Sequence, residues 1–411
     1  MSACPIAPSR LPAILTACVF LLHVTFPAVS AAYVLNTVVA DMRLPASLAG
    51  STACPQTTRA NLSIAGGIRR QWSTSLGANP VTVLTVDQTS SGRLNEIENT
   101  IVQAFGVWTG VAGSALVPSS LAPLARTSAQ TSCAADGLNT ICLNQSDPAF
   151  STGVLAFTRV VTADALGEQA APGMPPAAFL GQILDADILI RPSDGTINFA
   201  TPAALAVHPA AYDLQSILTH EMGHMLGAGH SDVWRAMMFP FVPPAGTFLG
   251  SRPTLASPDA PLSEDDRAAL RQLYPDPRDT VHQGSISGRV LPANPLALAG
   301  TGTTGVFAAH VVAMDAVTGM VIAASISGWS CSDPGPAIFD GTYRIAGLTT
   351  GITQAYQLYA EPLDGPVAPG DVFESTVLCR NTLTDPGWPA QFACNTPSPV
   401  TDFSTGFRFG P

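Results

Sequence analysis

The sequence contains no lysine, and few of its residues are charged. Charged residues make up 11% of the 411 positions, and the formal net charge is −11. Proteins that bind nucleic acid need clustered cations to displace counterions from phosphate, so this composition excludes nucleic acid as an expected partner. Hydrophobic residues make up 46% of the chain, which excludes a disordered polymer and predicts folded domains with apolar cores.

Long apolar runs are also scarce, apart from one at the N-terminus. Arg10 precedes an apolar run from Leu11 to Val29, and small residues follow it. This order is typical of a secretory signal peptide and predicts that residues 1–31 are removed on export. A transmembrane anchor is the alternative, but two prolines interrupt the run. We expect a secreted protein without stable membrane association, and the Ala, Pro, Gly and Arg bias suggests a bacterial source.

Eight cysteines are present, and two of them belong to the predicted signal peptide. The other six form an even set in an exported chain, which favours disulfide bonds. Cys133 and Cys142 flank a turn-rich stretch and are the first candidate pair, and Cys379 with Cys394 is the second. Six cysteines allow 15 connectivities, among which the sequence does not choose.

The pattern of residues changes along the chain and suggests two folded units. Residues 32–65 lack strong periodicity and are interpreted as an N-terminal extension. Residues 66–275 mix strand and helix patterns, which predicts an α+β domain with a twisted mixed sheet and three helices. Residues 276–283 are interpreted as a linker, because they continue the Pro-Asp-Pro-Arg-Asp sequence that begins at Pro275. Residues 284–411 show short strands between Gly, Pro and Asp turns, which predicts an all-β sandwich.

Local patterns place the main elements of the first unit. Apolar residues at helical spacing predict an amphipathic helix from Leu94 to Trp108. Asp213 is a good N-cap for a second helix, and Ser263 is a plausible cap for a third that ends before Pro275. Strands rich in β-branched residues are expected at 81–86, 154–158 and 186–190.

The stretch from His220 to His230 contains the candidate metal ligands and the candidate catalytic base. His220 and His224 are four residues apart, so on a helix they lie on one face within reach of a single ion. Gly227 can adopt the left-handed conformation that ends a helix, which lets the chain return and bring His230 as a third ligand. Three imidazoles leave one position of a tetrahedral zinc ion open, as in catalytic sites. Glu221, next to the first ligand, is the candidate general base.

This motif, with Met238 downstream, resembles the zinc site of the metzincin proteases, and Ser231 after the third histidine resembles their matrixin branch. The resemblance covers roughly residues 66–275 and implies that Met238 lies in a Met-turn beneath the metal. It also implies that the strand Asp185–Ile190 is the edge strand that pairs with a peptide substrate.

The chain also departs from the matrixin pattern. Only His208 remains between the signal peptide and the linker for a second, structural zinc, so we expect one catalytic ion. Calcium is a further candidate ligand, through Asp185, Asp187 or Asp194. Val242 occupies the position where the family has an aromatic residue, which leaves the side-chain preference open. The C-terminal unit resembles a carboxypeptidase regulatory-like or transthyretin-like β-sandwich.

The sequence therefore predicts a secreted zinc metalloendopeptidase that acts on proteins or peptides, of unknown oligomeric state. An exopeptidase is one alternative, since it could use the same zinc and the same base. A binding or adhesion protein with an inactive zinc site is another, although Glu221 would then have no purpose. Because every candidate catalytic residue precedes Pro275, the C-terminal unit is expected to be dispensable for the chemistry.

Overall fold

A computed structural model gives the fold. Up to residue 250 it describes 33–35, 37–38, 68–69, 71–73, 83–86, 94–116, 133, 136–137, 139–143, 146–147, 150, 154–163, 166–179, 181–194, 197–231, 233–242 and 245–246. Beyond residue 250 it describes 260–294, 305–306, 309–327, 330–331, 337–338, 341–362 and 408–409. The predicted signal peptide and the Cys379–Cys394 pair lie outside the described residues.

Three helices occur in the described part of the chain. They are α1 (Leu94–Thr109), α2 (Leu214–Met225) and α3 (Glu264–Leu273). The apolar face predicted for α1 is buried, and Trp108 at its end is completely inaccessible. Ser263 caps α3, and the side chain of Asp266 completes a capping box with it.

Eighteen short strands accompany these helices within the described stretches. Those before the linker are β1 (Tyr33–Leu35), β2 (Thr37–Val38), β3 (Ile68–Arg69), β4 (Val83–Val86), β5 (Asn139–Cys142), β6 (Ala156–Thr162), β7 (Ile183–Ile190), β8 (Phe199–Ala200), β9 (Tyr212–Asp213) and β10 (Ala228–Ser231). Those after it are β11 (Gly284–Arg289), β12 (Ala309–Asp315), β13 (Val321–Ile326), β14 (Ser330–Cys331), β15 (Ala337–Ile338), β16 (Thr342–Leu348), β17 (Tyr356–Pro362) and β18 (Arg408–Phe409).

A four-stranded mixed sheet forms the first unit and has the order β4-β5-β7-β6. β4, β5 and β7 run parallel, and β6 is antiparallel to β7. With its three helices, this sheet confirms the α+β prediction for the described part of residues 66–275. The edge-strand prediction is wrong, because Asp185–Ile190 belongs to β7, which lies between β5 and β6. The two aspartates of this strand, Asp185 and Asp187, are buried and accept hydrogen bonds from the amides of Gly137 and Thr140, so they do not mark an exposed edge.

The strands after the linker form two main sheets. One has the order β13-β12-β17-β18, and the other pairs β11 with β16. A continuous cluster of buried apolar side chains extends from α1 and α2 through α3 into these strands, and it includes Leu270, Val311 and Ile345. The two units therefore share a core. The β-sandwich assignment of the whole C-terminal stretch stays a prediction, since 363–407 lie outside the described residues.

One disulfide bond joins Cys133 to Cys142, with Cα atoms 6.2 Å apart. This is the pair that the turn-rich stretch between them predicted. The bond closes the loop that leads into β5. Among the described residues, no helix has the length and apolar character needed to cross a membrane.

Candidate metal centre

Helix α2 presents the first two histidines of the motif. Its start is fixed by Asp213, whose carboxylate accepts hydrogen bonds from the Gln215 amide at 3.1 Å and the Ser216 hydroxyl at 2.7 Å. These bonds satisfy donors that the first turn of a helix leaves unpaired. His220 and His224 project to the same side of this helix, because they are four residues apart.

The third histidine reaches the site through a tight turn. α2 ends at Met225, and Gly227 has φ +98°, a left-handed conformation that glycine adopts without strain. The turn is held from outside, because Trp72 Nε1 donates to the Met225 carbonyl at 2.8 Å and the Tyr274 hydroxyl donates to the Leu226 carbonyl at 2.7 Å. The chain then enters β10, which carries His230.

The three imidazoles converge. One ring nitrogen from each of His220, His224 and His230 lies within 4.8 Å of the others, and no other such group of His, Cys, Asp or Glu occurs in the described part of the chain. His220 Nδ1 lies 2.7 Å from the Met237 carbonyl, and His224 Nδ1 lies 2.9 Å from the Ala228 carbonyl. A carbonyl only accepts, so both Nδ1 atoms carry the proton and both Nε2 atoms keep a lone pair for a metal.

The spacing of two of these nitrogens suits zinc. His224 Nε2 and His230 Nε2 are 3.2 Å apart. Zn–N bonds of about 2.0–2.1 Å in tetrahedral geometry require nitrogens roughly 3.3 Å apart. Burial and the neighbouring His230 lower the pKa of His220 to about 3, so this imidazole is neutral and able to bind a metal at neutral pH. The donor set therefore fits a zinc ion with three protein ligands.

Glu221 lies within the same helix turn and is 5% exposed. Its Oε2 atom accepts a hydrogen bond of 2.6 Å from the Thr158 hydroxyl on β6. Burial raises the pKa of Glu221 to about 7, and the bond from Thr158 opposes that shift. Thr158 was not identified from the sequence, because nothing near position 158 indicates that it meets a residue 63 positions away.

Met238 lies against α2 at Gly223, between the two helical histidines. A β-carbon on Gly223 would clash with Met238 Sδ and would lie 2.8 Å from Trp108 Cζ2. The turn around Met238 is fixed by Asp266, whose carboxylate accepts from the amides of Met237 at 2.8 Å and Met238 at 3.1 Å. This arrangement also places the Met237 carbonyl against His220.

The acidic residues considered for calcium have other partners. Asp185 accepts from the Gly137 amide and Asp187 from the Thr140 amide, so both hold the loop closed by the disulfide. Asp194 accepts from the Ile197 amide and faces Arg191. Burial raises the pKa of Asp185 to about 6 and that of Asp187 to about 7.

Comparison with known proteins finds one family model and several metalloendoproteinases that match part of the chain. Residues 180–275 match the family model described as matrixin. Metalloendoproteinase 1 of Glycine max is 38% identical over 65 residues, which cover 16% of this chain and 18% of that protein. Metalloendoproteinase 1-MMP of Arabidopsis thaliana is 36% identical over 95 residues, or 20% of this chain and 23% of the relative. Metalloendoproteinase 5-MMP of the same organism is 36% identical over 110 residues, which cover 27% of this chain and 26% of that protein.

These similarities cover only one segment of the chain. The matched region begins just before β7 and ends just after α3, so it contains the three histidines, Glu221 and Met238. The alignments span at most 26% of the length of these three relatives. The chain therefore contains a matrixin-like segment. The bacterial source suggested by composition gains no support from these relatives.

Proposed function

We propose that this protein is a zinc-dependent metalloendopeptidase that is exported from the cell. The observation that carries the proposal is the convergence of three imidazole nitrogens within 4.8 Å, next to a buried glutamate. The matrixin-like segment and the names of the relatives support the same activity. Zinc held by His220, His224 and His230 would polarise the scissile carbonyl and lower the pKa of water.

Glu221 supplies the proton transfers. Its carboxylate takes a proton from the attacking water and passes it to the departing amine. Its raised pKa brings the group close to neutrality, where a base can both accept and release a proton. The Thr158 hydroxyl fixes one carboxylate oxygen, which leaves Oε1 to meet the water. Met238, packed against Gly223, supports the helix turn between the two histidines.

The strand β6 is the proposed platform for the substrate. Its partner β7 lies on one side, and no strand of the described residues pairs with its other side. An extended peptide could add to this free edge through backbone hydrogen bonds. Thr158 belongs to β6 and touches Glu221, so a peptide along this strand would pass beside the base.

A peptidase assay on the full chain tests the proposal. The purified protein should cleave internally quenched peptides that are blocked at both termini, lose this activity with a chelator and regain it with zinc. An exopeptidase would require a free terminus. A binding protein with an inactive site would take up zinc and cleave nothing, and that result would refute the proposal.

Export and calcium dependence are separate proposals. Export should leave a mature N-terminus near residues 31–33, which N-terminal sequencing of secreted material would show, and a retained Met1 would contradict it. Calcium at Asp185, Asp187 or Asp194 should raise the unfolding temperature of the protein in calcium-containing buffer. An unfolding temperature that is independent of calcium would refute that assignment.

A further inference from the structure

The first turn of α3 connects the metal centre to the strands after the linker. Asp265 in this turn has no accessible surface. Its Oδ2 atom accepts a hydrogen bond of 2.7 Å from the Ser231 hydroxyl. Its Oδ1 atom accepts a hydrogen bond of 2.9 Å from the backbone amide of Ala324 in β13. One buried carboxylate therefore joins the residue after His230 to a strand of the C-terminal unit.

The amide of Ala324 is a donor at the edge of a sheet. β13 has β12 on one side, with Val312 opposite Ala324, and no strand of the described part on the other. Backbone donors that point away from a sheet edge need a partner when they are buried. Asp265 is that partner, so the carboxylate and the strand fix each other's position.

Two further contacts hold the units together around this link. Arg235, in the turn between His230 and Met238, donates to the Val321 carbonyl of β13 at 2.6 Å. Arg271 of α3 donates to the Gly347 carbonyl of β16 at 3.0 Å. A β-carbon on Gly347 would lie 2.6 Å from the Ala268 carbonyl oxygen, so only glycine allows this approach. The C-terminal strands thus contact both α3 and the turn that follows the third ligand.

Ser231 passes this restraint to the third ligand. It is completely buried and directly follows His230. Its hydroxyl also accepts from the Val233 amide at 3.0 Å, and its own amide donates to the Met238 carbonyl at 2.8 Å. A shift of Asp265 would therefore move the backbone that sets the position of His230. Metal sites are sensitive to shifts of this kind, since ligands must be held to within about 0.5 Å.

We propose that Asp265 is a positioning residue through which the C-terminal β-unit holds His230 in place for metal binding. The backbone of β13 fixes the carboxylate, the carboxylate fixes Ser231, and Ser231 fixes His230. The inference rests on the proposed metal site and assigns the C-terminal unit a role in that site. It replaces the expectation that this unit is dispensable for the chemistry.

Full-length variants test the link from both ends. Asp265→Asn keeps the size of the side chain but cannot accept both hydrogen bonds in the same way. Ala324→Pro removes the donor from the C-terminal side, and proline is tolerated in edge strands where the amide points outward. Ser327→Ala is the matched control, because it removes a buried hydroxyl whose two hydrogen bonds, from the Ala309 amide and to the Val306 carbonyl, lie within the C-terminal unit and do not involve Asp265.

The measurements are the zinc affinity, by competition with a chelator, and the visible spectrum of the cobalt-substituted protein. Loss of a group that bonds a metal ligand directly typically weakens affinity 10- to 100-fold. Asp265 acts on His230 through Ser231, so we expect a fall near the lower end of that range, about 10-fold, for Asp265→Asn and Ala324→Pro, together with altered cobalt bands. Turnover should fall more than KM rises. Ser327→Ala should lower thermal stability and leave the affinity and the spectrum unchanged.

A double-mutant cycle keeps the proposal testable if Ala324→Pro does not fold. The effects of Asp265→Asn and Ser231→Ala on zinc affinity should be non-additive, because both break the same link. Additive effects, or folded variants with wild-type affinity and spectrum, would overturn the proposal. A wild-type protein that binds cobalt but cleaves no peptide would refute the peptidase activity and leave the link intact. A wild-type protein that takes up no metal would refute both.

Discussion

The Thr158 hydroxyl lies 2.6 Å from Glu221 Oε2 and so joins the edge strand β6 to the helix that carries His220 and His224. The same hydroxyl oxygen lies 2.9 Å from the Glu221 backbone carbonyl. Because Glu221 is buried, few solvent molecules are available to orient its carboxylate. The strand proposed to bind the substrate thus also orients the proposed base.

Replacing Thr158 by valine should slow catalysis without loss of metal. Valine has the shape of threonine but no donor, so the carboxylate loses its fixed orientation. A hydrogen bond to a charged group contributes about 1.5–3 kcal/mol, which corresponds to a fall in kcat of roughly ten- to a hundredfold. Thr158→Ser retains the hydroxyl and should restore most of the rate. Equal rates for the valine and serine variants would show that this contact does not matter for turnover.

Replacing Glu221 by glutamine should separate metal binding from catalysis. Glutamine is nearly isosteric and cannot take up a proton near neutral pH, whereas the three imidazoles remain. We expect about one zinc per chain and a loss of rate on the order of a hundred- to ten-thousandfold. His224→Ala should instead lower zinc content and turnover together. Wild-type turnover in Glu221→Gln would mean that another group is the base.

Gly223→Ala should destabilise the site, because the new methyl group meets Met238 and Trp108. Forcing an extra carbon into a packed core costs typically about 1–3 kcal/mol, and zinc affinity should fall as α2 shifts. Gly106→Ala is the matched control in α1, since a β-carbon there has no neighbour within 4 Å. This control should be neutral or stabilising by up to about 1 kcal/mol. Urea unfolding and metal titration of both variants check the prediction.

Asp187→Asn should change how stability depends on pH. Burial, aided by Asp185, raises the pKa of Asp187 in the folded state to about 7, from an ordinary value of 3.8. Between these values the folded state binds more protons than the unfolded state, so the free energy of unfolding falls as pH rises through this window. Asparagine does not titrate and lacks this pH dependence. The free energy of unfolding of the variant, relative to that of wild type, should therefore increase as pH rises from 5 to 8.

Urea unfolding of both proteins at the two pH values, in calcium-free buffer, measures this difference. Effects of pH on the histidines are common to both proteins and cancel in the comparison. If wild type instead gained stability relative to Asp187→Asn as pH rises, the folded protein would stabilise the ionised carboxylate. A repeat in calcium would then show whether that cation is the cause.

The local features of this protein are determined by its sequence. The apolar spacing in α1 buries Trp108, Asp213 begins α2, Gly227 ends the turn that follows it, and Ser263 caps α3. Each of these depends on residues a few positions apart, through helical periodicity, capping bonds or a left-handed glycine. The motif from His220 to His230 is of the same kind, which is why the sequence alone identifies its candidate ligands.

Only the tertiary structure decided which distant residues meet. It placed β6 at the sheet edge in place of the predicted strand Asp185–Ile190, it brought Thr158 to Glu221, and it set Asp265 between Ser231 and Ala324. Strand order and long-range hydrogen bonds depend on which elements pair, and residue spacing within an element carries no record of its neighbours. The candidate ligands are therefore determined by local sequence, whereas the residues that hold them in position are determined by tertiary packing.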